Sequence, residues 1–351
     1  MNHKAYWRYQ FLRDWPLLLI LLAIEVLFDL IALLSNITPA AGTGYEKTFF
    51  VLLLYPSFFI AYIFPLFHKS KLWNRRAVDL YLGLPLDKKG IYLDDLFLGL
   101  VELIGILLIS FSWGILVAPL SGNHAWILPA DGGYALLFAL LATITGYLLS
   151  SGIVSCANNA FDATVFLALF ILGQAALSYD IGNNLRTSCA ESSSLYYSCP
   201  SQTDYVLAPL CFYHALLDNT YDSYHLYNTG AMPVWVIIVH VLSGIIFAIL
   251  GYFLSKNWKS EKAQTPSRAW YNYPLFSAFP FTFLIGLEFP YFFTSYNWTV
   301  PLVLFAVGTL LYWILIFIGE RKIRFRWNAA YIYLGAVASG YLLAFLLWKY
   351  A

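Results

Sequence analysis

Charge is what this chain has least of. Only 11% of its 351 residues are Asp, Glu, Lys or Arg, where a soluble domain carries about 25%, so the ordinary soluble class is excluded. The charges nearly balance, 20 basic against 19 acidic, and no basic patch for nucleic acid is found. Cysteine is scarce as well, four in all, with no CxxC pair to suggest structural zinc. His3, His68, His124, His214, His225 and His240 form neither an H-E-x-x-H nor any pattern at ligand spacing, so no metal ligands are expected. No G-x-S-x-G surrounds Ser150, Ser151 or Ser155, as a hydrolase nucleophile would require. The nearest approach to a phosphate loop is AGTGYEKT, residues 41–48, and it lacks the G-x-x-x-x-G-K-[ST] spacing. A secretory leader is not evident: the first apolar run, from Trp15, is too long for an h-region and no small-residue cleavage site follows.

Apolar residues, by contrast, make up 60% of the chain and aromatics 19%, with a mean hydropathy of +0.68. They come in long unbroken runs rather than alternating every second residue, which points to helices and away from a barrel. A span needs roughly 20 mostly apolar residues. About nine stretches qualify: 15–35, 49–67, 95–119, 134–156, 163–179, 233–254, 274–294, 299–318 and 329–348. The expected fold is therefore an all-α polytopic membrane protein with its N-terminus in the cytoplasm. With that orientation every basic residue except Lys47, Arg186 and Lys349 falls on the inner side, as the positive-inside rule asks.

The loop 180–232 is then external, and rich in Ser, Asn, Tyr and Asp. Cys189 and Cys199 lie within it, where a disulfide would persist; a bridge and two free thiols are both open. YVLAPLCFYHALLDN, Tyr205 to Asn219, is apolar but too short to span, and reads as a re-entrant or interfacial pair of helices broken at Pro209. Asn36-Ile-Thr and Asn297-Trp-Thr are sequons on the outer side and would carry glycans only in a eukaryotic host. At the other face, NHKAYWRYQFLRDW is basic and aromatic. It is either a helix lying along the cytoplasmic surface or a charged flank on the first span.

Between the second and third spans stands RRAVDLYLGLPLDKKGIYLDDLFLG, residues 75–99. Ala77, Leu80, Tyr81 and Leu84 share one face of a helix. Gly83 and Pro85 end it, and Asp87 is placed to cap the next. The segment is a helix, a sharp turn and a helix on the cytoplasmic side, fit either to dock a soluble partner or merely to hold the positive charge. It resembles the segment after the second span in permeases of bacterial ABC transporters of the ABC-2 class, where an arginine, a Leu-Pro-Leu-like turn and a basic pair form the helix that seats in the ATPase. The surface helix before span one, the re-entrant stretch before span six and the basic tail GYFLSKNWKSEKAQTPSRAW, Gly251 to Trp270, are similar too. The likeness covers residues 1–270; the three spans from 274 to 348 depart from it.

The resemblance implies a six-span core, 1–254, followed by a cytoplasmic linker and three-span extension, 255–351. It implies that Arg76, Leu84, Pro85, Leu86, Asp87 and Lys88 meet a separate ATPase subunit, present in two copies, in which ATP and Mg are bound. This chain itself would bind no cofactor. It would pair with a second permease, identical or related, in a bacterial cytoplasmic membrane, and move an amphipathic substrate outward: a peptide, an antimicrobial compound or a lipid-like species. Glu25 and Asp29, one turn apart in span one, and Glu102 in span three are intramembrane acids, costly and so candidates for the translocation path; the alternative is that they bond to polar groups on neighbouring spans. Glu288, in span seven, joins that set. Two other classes stay open. One is a lipid-modifying enzyme centred on Glu25, Asp29 and His240, and the other a scaffold or sensor acting through the loop 180–232.

Overall fold

The computed structural model describes residues 3–35, 45–74, 77, 79, 87–117, 129–173, 234–256, 258, 262–267, 269, 272–282, 299–321, 323 and 325–350. Among these the fold is all-helical, with no strand. The helices are α1 His3–Ser35, α2 Tyr45–His68, α3 Lys88–Val117, α4 Pro129–Val154, α5 Ala160–Gly173, α6 Val234–Ser255, α7 273–282, α8 Thr299–Glu320 and α9 Trp327–Tyr350. A 3-10 turn, Ser70–Trp73, follows α2. Where it is described, each apolar run of the sequence has become a helix, because a chain with so few polar side chains satisfies its backbone best through its own i→i−4 bonds. One of them, α3, is by itself long and apolar enough to cross a membrane, with a mean hydropathy of 2.3.

The basic N-terminal stretch and the first apolar run form one helix, α1, which passes through Pro16 without a break. Its first turns are held by side chains of α3. Trp7 stacks on Phe97 with ring centroids 5.2 Å apart, and its Nε1 donates to Asp94 Oδ1 at 3.0 Å.

The chain divides into two compact units. The first comprises Met1–Ser155 and Tyr213–Ser260; the second, Cys156–Phe212 and Glu261–Ala351. Thus α5, assigned from sequence to a six-span core, groups with α7, α8 and α9, while the division after Ser260 lies close to the expected 254/255 boundary.

In the first unit α4 packs broadly against α6 and α2, and α1 lies against α2 and α3. Small residues permit the closest crossing. A Cβ on Gly152 would meet the carbonyl of Phe247, and one on Gly244 would stand 3.1 Å from the carbonyl oxygen of Thr145, so α4 and α6 approach backbone to backbone. The centre is apolar, with Leu18, Leu21, Ile60, Ala61, Phe64, Leu103, Ile106 and Tyr147 in one buried group. The outer faces are apolar as well: Leu12, Ile20 and Leu27 on α1, Phe97, Ile109 and Leu116 on α3, and Leu242, Ile246 and Phe253 on α6 are all exposed.

The second unit is held by an aromatic seam. Phe166 stacks on Phe276 and Phe170 on Phe279, at 4.7 and 5.1 Å between centroids, and Phe281 lies against Tyr333. The start of α5 is capped by Asn159, whose Oδ1 accepts the N–H of Asp162 at 2.8 Å, one of the orphan donors of a helix start. Asp162 in turn accepts from Tyr273 Oη at 2.7 Å and from the N–H of Ser267 at 2.8 Å. Arg321, with φ 52, takes the left-handed turn that closes α8. The outer face of α8 exposes Leu302, Leu310 and Ile318.

Candidate functional site

The buried face of α3 carries Asp95, Leu98, Glu102, Ile106 and Ser110, a stripe at helical spacing in which two acids and a serine replace apolar residues. Asp95 and Glu102 are two turns apart and face α1 and the end of α2. There they meet Tyr6, Gln10 and Asp14 from α1, His68 at the last position of α2, and Lys71 from the turn that follows. All seven are buried, with no residue more than 6% exposed.

Two pairs inside this group are closed. Lys71 Nζ lies 2.6 Å from Asp95 Oδ1 and donates to Tyr6 Oη at 3.0 Å, while Tyr6 donates to the same carboxylate oxygen at 2.6 Å. Arg13 meets Asp14 Oδ1 at 2.7 Å, and Gln10 donates to Asp14 Oδ2 at 3.1 Å. His68 stands between the acids. Its Nδ1 is 3.2 Å from Asp14 Oδ2 and 3.6 Å from Glu102 Oε2, and its Nε2 is 3.9 Å from Asp95 Oδ1. None of these contacts has hydrogen-bond geometry: both ring nitrogens and both Glu102 oxygens are without a hydrogen-bond partner among the described residues.

The electrostatics follow from burial. His68, one residue past the apolar run 49–67, is held below the ordinary histidine range, first by loss of solvent and then by the nearby Lys71, against the pull of Asp14 and Asp95. Lys71 is lowered, again by burial first, with Asp95 opposing. Burial would raise Asp14, but His68 and Arg13 outweigh it and hold the carboxyl low. Asp14, His68 and Glu102 each offer a ligand atom, and these atoms all lie within 4.8 Å of one another, close enough to share an ion.

Of the acids singled out from sequence, Glu102 thus belongs to this group. Glu25 and Asp29 are one turn apart in α1, both buried. Ser57 of α2 donates to Glu25 Oε1 at 2.7 Å, and Ser110 of α3 to Asp29 Oδ2 at 3.1 Å. Their other oxygens, Glu25 Oε2 and Asp29 Oδ1, have no hydrogen-bond partner among the described residues. His240, on α6, is buried. Sequence reasoning passed over Asp14, His68, Lys71 and Asp95. Lys69 and Lys71 were counted only as positive charge on a loop, whereas both are buried, at 1% and 4% exposure. Lys69 Nζ donates to the carbonyl of Ser151 and to Ser155 Oγ at 2.8 and 2.6 Å. The available signal was the seven-residue interval between Asp95 and Glu102, which places two acids on one face of an otherwise apolar helix.

The turn between α2 and α3 is described in part. Arg76, Leu84, Pro85 and Leu86 lie outside the described residues, as do Cys189, Cys199, Glu288 and the stretch Tyr205 to Asn219. Asp87 is exposed directly before α3, its carbonyl accepting the N–H of Ile91 at 2.9 Å. The basic pair that follows is gripped by the end of α6. Lys88 Nζ donates to the carbonyl of Trp258 at 2.7 Å, and Lys89 Nζ sits over the Tyr252 ring, 5.0 Å from its centroid.

Compared with family models, with curated proteins and with solved structures, the chain matches none.

Proposed function

We propose that the chain is the membrane-spanning permease subunit of an ATP-driven exporter of the ABC-2 type, in which a separate ATPase supplies the energy. The bonding of the two lysines that open α3 carries the reading. Lys88 donates to the carbonyl of Trp258, just past α6, and Lys89 sits over Tyr252 in its last turn. A push on the turn before α3 by a closing ATPase would therefore reach two helices of the first unit together. The motor would hydrolyse ATP; this chain would convert its closure into a rocking of helices, with no covalent chemistry of its own.

The exposed apolar faces on α1, α3, α6 and α8 support a chain that lies in lipid, since soluble proteins rarely leave such patches open. On this reading the helices span a bacterial cytoplasmic membrane with the N-terminus inside. Two permease chains and two ATPase subunits would form the transporter. The substrate would be amphipathic, a peptide, an antimicrobial compound or a lipid-like molecule. Glu25 and Asp29 keep one unbonded oxygen each, which suits a polar lining on its route.

The test is a pull-down of the tagged chain from its native membrane in mild detergent, beside a Pro85→Arg, Asp87→Arg double variant that still inserts. An ATPase that co-purifies with the native chain and is lost from the variant is the expected result. If no ATPase accompanies the native chain in any of several detergents, the exporter reading fails.

A further inference from the structure

We infer that Asp14, His68 and Glu102 form a binding site for a single divalent transition-metal ion, tying α1, α2 and α3 together. The inference does not depend on the transport reading.

Charge makes the first argument. The group holds three buried carboxylates, Asp14, Asp95 and Glu102, and two basic side chains stand against them, the part-exposed Arg13 and the buried Lys71. Arg13 is set against Asp14 and Lys71 against Asp95. Glu102 is left over. Its side chain is fully buried, and neither oxygen receives a hydrogen bond among the described residues. A carboxylate so placed is costly unless a cation meets it. His68 lies beside it at 3.6 Å, equally buried, its two nitrogens also without hydrogen bonds among the described residues.

Spacing makes the second. A zinc-like ion binds imidazole nitrogen at about 2.0–2.1 Å and carboxylate oxygen at about 2.0–2.2 Å, so neighbouring ligand atoms around a tetrahedral ion lie about 3.3 Å apart. His68 Nδ1 stands 3.2 Å from Asp14 Oδ2 and 3.6 Å from Glu102 Oε2. Those separations are too long or too poorly aligned for hydrogen bonds, yet they match the edges of a coordination polyhedron. One imidazole and two carboxylates suit zinc, manganese or iron in the divalent state. Metal-bound histidine commonly gives its other N–H to a carboxylate, and Nε2 of His68 faces Asp95 Oδ1 at 3.9 Å. Gln10, bonded to Asp14 Oδ2, holds the ligand oxygen in orientation.

Three ligands leave one position open, but the surroundings are closed by buried side chains. The ion's role is accordingly to pin three helices, as structural metals do.

The experiment uses the full chain in detergent with any affinity tag removed, stripped with EDTA and then equilibrated with Zn²⁺ at buffered free concentration. The expected result is one zinc per chain by mass spectrometry of the metal, retained through gel filtration, and its loss from His68→Gln and Glu102→Gln. Because either variant could misfold, the native chain is also titrated with Co²⁺. Visible bands of a low-symmetry cobalt site with nitrogen and oxygen ligands, bleached by added Zn²⁺, are expected. Native chain that binds no zinc, or that shows only the spectrum of hydrated cobalt, overturns the inference and leaves a proton shared between His68 and Glu102. Stoichiometric zinc that persists in both well-folded variants overturns it as well, by placing the ion elsewhere.

Discussion

Replacing Lys71 by methionine isolates the energetics of the buried charges. The substitution keeps the length and apolar stem of the side chain and removes only the ammonium. That ammonium lies 2.6 Å from Asp95 Oδ1, where two unit charges attract by about 6 kcal/mol at an effective dielectric of about 20. The desolvation already suffered by both groups offsets much of that, so the pair is worth little against an apolar replacement of both members. Removing one member alone is different, because Asp95 stays buried with Tyr6 its remaining donor among the described residues. Breaking such a pair costs about 3–5 kcal/mol. Lys71→Met should therefore destabilise the first unit by that amount, read from reversible unfolding in mixed micelles. Adding Asp95→Asn should return at least about 2 kcal/mol, since the amide oxygen still accepts from Tyr6 and no charge is stranded. If Lys71→Met costs under about 1 kcal/mol, or the second change adds to the damage instead of relieving it, the ion pair is not what organises this group.

Other substitutions test the packing. Gly152→Ala sets a methyl against the carbonyl of Phe247 and should cost about 1–3 kcal/mol by forcing α4 from α6, seen as a lowered thermal midpoint. Gly105→Ala on α3 meets nothing within 4 Å and should be neutral or stabilising by up to about 1 kcal/mol, through helix propensity alone. In the second unit, Tyr273→Phe removes the donor to Asp162 and should cost about 1.5–3 kcal/mol, the range for a hydrogen bond to a charged group; differential scanning of the purified chain reads it. Ser57→Ala takes the hydroxyl from Glu25 and should cost about 1–3 kcal/mol, because the buried acid then loses the donor at its Oε1.

The helices were legible in the sequence because their signal is local. An apolar run such as 299–318 needs no partner to be recognised, and α8 occupies it. The continuity of α1 was less so, since Pro16 next to a basic aromatic stretch looks like a break until the turns before it are seen held by Trp7 on α3. The grouping of α5 with the C-terminal helices could not be read at all, for it depends on which aromatic rings meet across distant segments. Glu102 was noticed as an acid in an apolar helix, but its partners were hidden in different ways. His68 and Lys71 flank an apolar run, where charge ordinarily means solvent, and Asp14 precedes one beside an arginine. Three positions far apart in the chain converge only when α1, α2 and α3 pack, and no spacing rule written along a single strand of sequence can register that.

The buried group has a further property that concerns how the chain is made. Tyr6, Gln10, Asp14, His68, Lys71, Asp95 and Glu102 have all been synthesised before α4 is begun, and synthesis proceeds at about 5–20 residues each second. Asp14 and Asp95 therefore have their cations, Arg13 and Lys71, available while the rest of the first unit is still unmade. The reverse holds for the crossing of α4 with α6, because the stretch Cys156–Phe212, which belongs to the second unit, is translated between them. The nascent chain can pair Asp14 and Asp95 with their cations early, but must wait through a long intervening segment to bring α4 and α6 together.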